Sequence, residues 1–219
     1  MRNQLVIFDL DGTLIDSRAD LTAAVNDMRR HYGLAPLPLD TVTRYVGNGI
    51  RKLVERALEG GPADFAEAVG RTREAYGRRL VEQTRPYPGV PEALAAIHRL
   101  GYHQAVVTNK PQEFTVQILR HFGLDTHLGA VIGGDACPQL KPHPAPLFLA
   151  LEQTGCAAPG SWMVGDNYTD LAAGAAAGLE RCFCAYGFGQ RGGETSELSV
   201  SHIAEFVSCL SRRCEATTT

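Results

Sequence analysis

The sequence predicts an α/β protein with a doubly wound, mostly parallel sheet and an inserted all-helical domain. Its strongest apolar runs are short and continuous rather than alternating, which is typical of strands buried on both faces of a parallel sheet. Helical patterns lie between the later runs, and this alternation of strand and helix indicates βαβ units. About 95 residues separate the first two runs, whereas a crossover between parallel strands needs only about a dozen. This long gap predicts an insertion into the first crossover.

The first strand is predicted at Leu5–Phe8, and amphipathic helices occupy the gap that follows it. Apolar residues recur there at helical spacing in three sets, which begin at Leu21, Ile50 and Phe65. The stretch Arg85–Pro91 is rich in Pro and predicts a stiff linker that returns to the sheet. We therefore expect three segments: residues 1–15 in a core domain, residues 16–85 in the helical insertion, and residues 86–219 in the core domain again.

The rest of the chain alternates between strands and helices. The remaining strands are predicted at Ala105–Val107, Ala130–Ile132, Trp162–Val164 and Cys182–Ala185. The helices between them are predicted at Glu113–Phe122, Ala145–Thr154 and Thr169–Ala177. After the last strand, Gly187–Gly192 matches the spacing of a dinucleotide-binding loop. No helix opens directly after it, so we interpret this segment as a flexible loop.

Composition and charge exclude several functional classes. The chain has 219 residues and a formal net charge of −3, so it lacks the basic surface expected of a nucleic-acid-binding protein. No apolar run approaches the roughly 18 residues that a membrane helix needs. The N-terminus lacks the features of a signal peptide, and the six cysteines form no CxxC pair. We therefore expect a cytoplasmic protein with free thiols that binds neither nucleic acid nor membranes.

Reactive side chains follow four of the predicted strands. In an open parallel sheet, ligands bind beyond the carboxyl ends of the strands, so these side chains should converge at one edge. The candidates are Asp9 and Asp11 after the first strand, Thr108 and Asn109 after the second, Lys141 after the third, and Asp166 and Asp170 after the fourth. Clustered carboxylates repel one another unless a cation joins them, and an all-oxygen set suits Mg²⁺. The sequence therefore predicts a magnesium site that faces a phosphate.

These residue types are suited to phosphoryl transfer. An Asp carboxylate aimed at a metal-bound phosphorus can act as a nucleophile and form an aspartyl-phosphate. A second Asp two residues further along can protonate the leaving oxygen and later activate water. Thr108 and Asn109 offer hydrogen-bond donors to phosphate oxygens, and Lys141 offers a compact positive charge.

The motifs resemble those of the haloacid dehalogenase superfamily. They occur in the family's order, as Asp9-x-Asp11-Gly-Thr13, Thr108-Asn109-Lys110, Lys141-Pro-His-Pro and Gly165-Asp166-x-x-x-Asp170. The resemblance implies a Rossmann-like core with a helical cap, in which Asp9 is the nucleophile and Asp11 the general acid/base. It further implies that Asp9, the Asp11 main-chain carbonyl and Asp166 hold Mg²⁺, and that Thr108, Asn109 and Lys141 stabilise the transferring phosphoryl group. Asp170 would orient Lys141 or a metal-bound water.

Longer strings around these motifs resemble a subgroup of that superfamily that hydrolyses 2-phosphoglycolate. These strings are Phe8–Ser17, Val46–Gly49, Val107–Pro111 and Ile132–Pro144. The resemblance implies a Mg²⁺-dependent phosphatase that acts on this small phosphorylated metabolite. Three alternatives are a phosphatase for another small phosphate (a sugar phosphate, an amino-sugar phosphate or pyrophosphate), a phosphomutase, and a signalling receiver module with a phosphorylated Asp. The oligomeric state is left open.

Two residues of the helical insertion are candidates for substrate specificity. A cap of this family faces the organic end of the substrate, which makes Asn48 and Arg51 the candidates near the start of a predicted helix. Lys110 in the second motif has two interpretations, an ordinary solvated side chain or a member of the site.

Overall fold

A computed structural model describes residues 3–60 and 64–216. Its strands are β1 (Gln4–Phe8), β2 (Ile15–Asp16), β3 (Arg85–Pro86), β4 (His103–Val107), β5 (Ala130–Ile132), β6 (Ala157–Gly165), β7 (Glu180–Cys184) and β8 (Leu198–Val200). Its helices are α1 (Arg18–His31), α2 (Leu39–Thr43), α3 (Ile50–Leu58), α4 (Phe65–Gly77), α5 (Val90–Arg99), α6 (Gln112–His121), α7 (Ala145–Thr154), α8 (Tyr168–Ala176) and α9 (Ile203–Ala216). Within these described residues, no helix is long and apolar enough to cross a membrane.

Among the described residues, six strands form one sheet in the order β5-β4-β1-β6-β7-β8. Every neighbouring pair is parallel, and β1 lies between β4 and β6, with Phe8 opposite Val106 and Val164. The five predicted strands all belong to this sheet, so the doubly wound α/β fold is confirmed. The edge strand β8 escapes prediction because its three residues include an exposed serine and form no apolar run.

The central strand β1 is buried on both faces, which explains its continuous apolar sequence. Val6 and Phe8 pack on one face with α5 and α9, where Phe206 meets Phe8 edge-on. Leu5 and Ile7 pack on the other face with α7 and α8. Because each fully buried side chain of this kind contributes roughly 1.5–3 kcal/mol, the strand is held firmly and fixes the position of the loop that follows it.

The helices α1 to α4 lie between the short strands β2 and β3. The three predicted apolar sets fall on α1, α3 and α4, and α1 and α3 both pack against α4. The chain enters and leaves this region through β2 and β3, an antiparallel pair in which Asp16 lies opposite Arg85. The predicted domain boundaries therefore lie side by side, and the division at these residues stays a prediction. The predicted linker is shorter than expected, because β3 takes its first two residues and α5 begins at Val90.

Candidate active site

The segments that follow β1, β4, β5 and β6 meet the helical insertion around one cavity of about 640 Å³ that opens to solvent. All seven side chains predicted at the sheet edge line this cavity: Asp9, Asp11, Thr108, Asn109, Lys141, Asp166 and Asp170. The helical insertion supplies a mostly apolar wall that includes Val46, Gly47, Gly49, Ile50, Leu53 and Tyr76. The parallel topology brings the polar side chains together because the carboxyl ends of its strands share one edge.

Lys141 lies at the centre of the buried charges. Its ammonium Nζ is 2.9 Å from Asp9 Oδ1 and 2.7 Å from Asp170 Oδ1, and it donates to the Val107 carbonyl oxygen at 2.5 Å. Only 1% of the Lys141 side chain is exposed. Burial alone would lower the pKa of Lys141, but the charges of Asp170 and Asp9 outweigh burial and raise it. Lys141 is therefore a cation whose position is set by two carboxylates.

Asp166 is fixed by the loop after β7. Its Oδ2 accepts hydrogen bonds from the backbone N–H groups of Phe188, at 3.0 Å, and Gly189, at 2.6 Å. These donors come from the segment interpreted as a flexible loop, and no side-chain motif could have identified them because they are backbone groups. The neighbouring loop approaches so closely that a Cβ atom on Gly12 would lie 1.9 Å from Asp166 Oδ2. Only glycine fits there, which also suits the positive φ of 90° at this position.

Three carboxylates form a candidate cation site. Oxygen atoms of Asp9, Asp166 and Asp170 lie within 4.8 Å of one another, and all three residues are buried. Burial and the charges of Asp170 and Asp9 raise the pKa of Asp166 well above its usual value. A divalent cation among these oxygens would relieve the repulsion, and its preferred ligands are the carboxylate oxygens found here. The donor set therefore fits a hard divalent cation.

Asp170 is positioned by the start of α8. Its Oδ2 accepts the Asn167 backbone N–H at 3.0 Å, and the Asn167 side chain accepts the Thr169 N–H, so the two residues cap the helix reciprocally. Burial raises the pKa of Asp170 to about 6 despite the neighbouring charge of Lys141. The other oxygen, Oδ1, forms an ion pair with Lys141 Nζ at 2.7 Å, which favours the interpretation that Asp170 orients Lys141.

Asn109 joins three segments of the site. Its Nδ2 donates to the carbonyl oxygens of Lys141 and Gly47, both at 2.9 Å, while its Oδ1 accepts the Lys141 backbone N–H at 2.9 Å. The side-chain amide thus binds protein groups, and its contact with a phosphate stays a prediction. Thr108 lies beside it, 5% exposed, on the cavity wall.

Asp11 is paired with Lys110, which is not a solvated side chain. Lys110 is 6% exposed, and its Nζ lies 2.9 Å from Asp11 Oδ1 and 3.0 Å from Asp11 Oδ2. Ser17 Oγ donates to Asp11 Oδ1 at 2.5 Å. Burial alone would lower the pKa of Lys110, but the charges and hydrogen bonds of Asp11 and Tyr76 together outweigh burial and raise it. The sequence offers no signal for this pair beyond the presence of Lys110 inside the second motif.

The two specificity candidates of the helical insertion do not line the cavity. Asn48 donates from Nδ2 to the Tyr168 hydroxyl at 2.8 Å and accepts from Arg56 at 2.9 Å, so it links the insertion to the core. The exposed Arg51 stacks on the Phe65 ring, 4.9 Å from its centroid. Their role in specificity stays a prediction, while the cavity wall itself is made by their neighbours.

The sheet, the helical insertion and the buried carboxylates define a hydrolase of a known class. The chain belongs to the haloacid dehalogenase-like hydrolases, because that family's model matches residues 6–184.

Two relatives and one solved structure carry the name phosphoglycolate phosphatase. Phosphoglycolate phosphatase of Psychrobacter arcticus is 41% identical over an alignment of 199 positions that covers 86% of each protein. Phosphoglycolate phosphatase 1 of Pseudomonas aeruginosa is 35% identical over a gapped alignment of 222 positions that covers 97% of this chain and 81% of that protein. The crystal structure of a predicted phosphoglycolate phosphatase from Haemophilus somnus superposes with a TM-score of 0.89 at 30% identity, covering 95% of this chain and 99% of that one.

Proposed function

We propose that this protein is a Mg²⁺-dependent phosphomonoester hydrolase that converts 2-phosphoglycolate to glycolate and phosphate through an aspartyl-phosphate on Asp9. The observation that carries the proposal is the pairing of Asp9 with Lys141 in a cavity that also holds Asp11 and two further buried carboxylates. The names of the relatives support the substrate. The six cysteines all lie in the described residues and form no disulfide, which fits action on a small metabolite in the reducing cytoplasm.

The residues that would hold Mg²⁺ are Asp9, Asp166 and the main-chain carbonyl of Asp11. When bound there, the cation would neutralise phosphate oxygens and the carboxylates that they approach. Lys141 adds a second positive charge, which lies 2.9 Å from the proposed nucleophile. Together these charges allow an anionic ester to approach an anionic Asp9, and they stabilise the charge of the transferring phosphoryl group.

In the first step, the Asp9 carboxylate attacks the phosphorus atom. A bond forms between Asp9 and phosphorus while the bond from phosphorus to the substrate oxygen breaks. Asp11, two residues along the same loop, gives its carboxyl proton to that departing oxygen, and glycolate leaves as the alcohol. Without this proton the leaving group would be an alkoxide, which is a strong base and a poor leaving group.

In the second step, water replaces Asp9 on the phosphorus atom. The Asp11 carboxylate removes a proton from the water, whose oxygen attacks the phosphorus atom, and the bond to Asp9 breaks. Inorganic phosphate leaves, Asp9 is again a carboxylate, and Asp11 again carries a proton. Asp11 thus acts as acid and then as base, so its orientation matters in both steps.

The helical insertion supplies the wall that would enclose a small substrate. The apolar wall supplied by the helical insertion faces the sheet edge across a cavity of about 640 Å³. Closure over a small ester would exclude bulk water from the reaction. A sugar phosphate, an amino-sugar phosphate, pyrophosphate and a phosphomutase reaction remain the alternatives, whereas membership of a hydrolase family disfavours a receiver module.

The reaction is tested by Asp9→Asn and a substrate panel. Because an amide of similar size is a far poorer nucleophile, we expect a folded variant whose kcat falls by at least about 1,000-fold. A matched control is Asp125→Asn, which lies outside the cavity and should keep full activity. Retained turnover in Asp9→Asn would refute the mechanism.

The substrate is tested by ranking small phosphate esters by kcat/KM, with MgCl₂ and with EDTA. We expect 2-phosphoglycolate to rank first and EDTA to abolish turnover. A sugar phosphate with a tenfold higher kcat/KM would replace 2-phosphoglycolate in the proposal. Transfer of phosphate between sugar positions without release would identify a mutase instead.

A further inference from the structure

Lys110 is a buried cation that the reaction scheme above does not use. It follows β4, and its side chain is 4% exposed. Its Nζ contacts three oxygen atoms: both carboxylate oxygens of Asp11, at 2.9 and 3.0 Å, and the Tyr76 hydroxyl, at 2.6 Å. An ammonium group has three donors, so all of them are used. Lys110 has no donor left for a substrate in this arrangement.

Lys110 and Ser17 hold the Asp11 carboxylate from two sides. Lys110 spans both of its oxygens, and Ser17 Oγ donates to Oδ1 at 2.5 Å from the start of the helical insertion. A carboxylate otherwise rotates broadly about its last side-chain bond. These contacts limit that rotation and leave Asp11 on the cavity wall.

Tyr76 connects Lys110 and Asp11 to the helical insertion. It belongs to α4, is 1% exposed and packs edge-on against Phe114 of the core at 5.4 Å between ring centroids. The Lys110 ammonium also lies 4.5 Å from the centroid of the Tyr76 ring, within the range of a cation–π contact. The position of α4 is therefore linked through Tyr76 and Lys110 to the carboxylate of Asp11.

We propose that Lys110, supported by Tyr76, is a positioning residue that orients Asp11 for proton transfer to the leaving group when the helical insertion packs on the core. One of the two Lys110 contacts gives way when Asp11 takes up its proton, and the other holds the acid in place. This inference rests on the proposed function, because it assigns Lys110 a role in the acid step of that reaction. Lys110 acts through Asp11 and does not contact the substrate. Its loss therefore impairs the reaction only where the leaving oxygen needs a proton.

Three substrates distinguish a role in orienting Asp11 from a role in binding the substrate or in maintaining the fold. 2-Phosphoglycolate and 2-hydroxyethyl phosphate both have alkoxide leaving groups that need a proton, but only the first has a carboxylate. p-Nitrophenyl phosphate has a stable phenolate leaving group that needs none. The quantity to measure is kcat/KM, because it reports the first phosphoryl transfer and not the later hydrolysis of the phosphoenzyme.

We expect Lys110→Met to lower kcat/KM for both alkyl phosphates by about 10- to 100-fold, as misplacement of a catalytic group does, and for p-nitrophenyl phosphate by less than about threefold. Asp11→Asn should show the same dependence on the leaving group. The double variant should resemble Asp11→Asn alone, because residues that act as a unit are not additive. Tyr76→Phe should produce a smaller loss with the same dependence, and it tests the inference if Lys110→Met does not fold.

Lys52→Met is the matched control, because it makes the same substitution at a lysine of α3 whose side chain is 57% exposed. It should leave all three kcat/KM values unchanged. The inference would be overturned if kcat/KM in Lys110→Met or Tyr76→Phe fell equally for all three substrates. It would also be overturned if kcat/KM stayed unchanged or rose. A loss confined to 2-phosphoglycolate would also overturn it, because Lys110 would then bind the substrate carboxylate. If wild-type protein hydrolyses none of the alkyl phosphates, the proposed function itself fails.

Discussion

Replacing Lys141 with Met removes a buried cation and leaves two carboxylates facing each other. Met has a similar length but no charge, so the substitution Lys141→Met changes electrostatics more than packing. The lost contacts join Nζ to Asp9 at 2.9 Å, to Asp170 at 2.7 Å and to the Val107 carbonyl oxygen at 2.5 Å. Asp170 cannot turn to water, because its side chain is 1% exposed. The variant should therefore be less stable as well as inactive.

The burial of the pair sets the size of this effect. Removing one partner of a buried ion pair costs about 3–5 kcal/mol, because it leaves an uncompensated charge. For a protein of this length each kcal/mol lowers Tm by about 2–4 °C, so we expect a fall of about 10 °C. Neutralising the stranded charge with Asp170→Asn in the same chain should restore at least about 2 kcal/mol of the free energy of unfolding. Asn can still accept the Asn167 N–H through its side-chain oxygen.

The measurement is urea denaturation followed by circular dichroism in EDTA, so that no divalent cation replaces the lost charge. Lys52→Met is again the control and should stay within about 0.5 kcal/mol of the wild type, as exposed substitutions do. Added MgCl₂ should stabilise Lys141→Met more than the wild type. The reasoning is wrong if Lys141→Met lowers the free energy of unfolding by less than about 1 kcal/mol, because breaking a buried ion pair costs more than this. It is also wrong if Asp170→Asn lowers the stability of that variant further.

Two further predictions concern the cation site. Gly12→Ala places a Cβ atom 1.9 Å from Asp166 Oδ2, so we expect at least a tenfold weaker apparent affinity for Mg²⁺ in titrations of activity. The control is Gly33→Ala, because Gly33 also has positive φ but a Cβ atom there would have no neighbour within 4 Å; this variant should keep the wild-type affinity. The pH dependence follows from Asp170, whose pKa rises from 3.8 to about 6. The folded state binds its proton more tightly than the unfolded state, so this contribution to stability is present below pH 3.8 and is lost as the pH rises to about 6. In EDTA, the urea midpoint of the wild type should therefore fall relative to that of Asp170→Asn across this window, and a constant difference would contradict the assignment.

Much of the architecture is visible in the sequence because periodicity and burial are local properties. The runs Leu5–Phe8 and Ala105–Val107 are continuous since their strands are covered on both faces, and the structure places them in adjacent positions as β1 and β4. The gap between them signals the insertion through its length alone. The strand β8 could not be predicted in this way, because a three-residue edge strand with an exposed centre leaves no apolar run.

The candidate site has features that the local sequence predicts and others that it does not. Its polar residues can be found because each follows a strand, and parallel strands bring such residues to one edge. Their hydrogen-bond and ion-pair partners cannot be found in this way, because these contacts join distant parts of the chain. Lys110 and Asp11 are 99 residues apart, and Phe188 and Asp166 are 22 residues apart. The sequence alone is also consistent with a solvated Lys110.

The sequence by itself determined the α/β class, the helical insertion, and the chemical groups available at the sheet edge. The tertiary structure alone decided which charges are paired: Lys141 with Asp9 and Asp170, and Lys110 with Asp11. The physical reason is that strand periodicity depends on near neighbours, whereas burial of a charge depends on every element that packs around it. In a cavity lined by a helical insertion, that packing turns a lysine that could have been solvated into the partner of the proposed general acid.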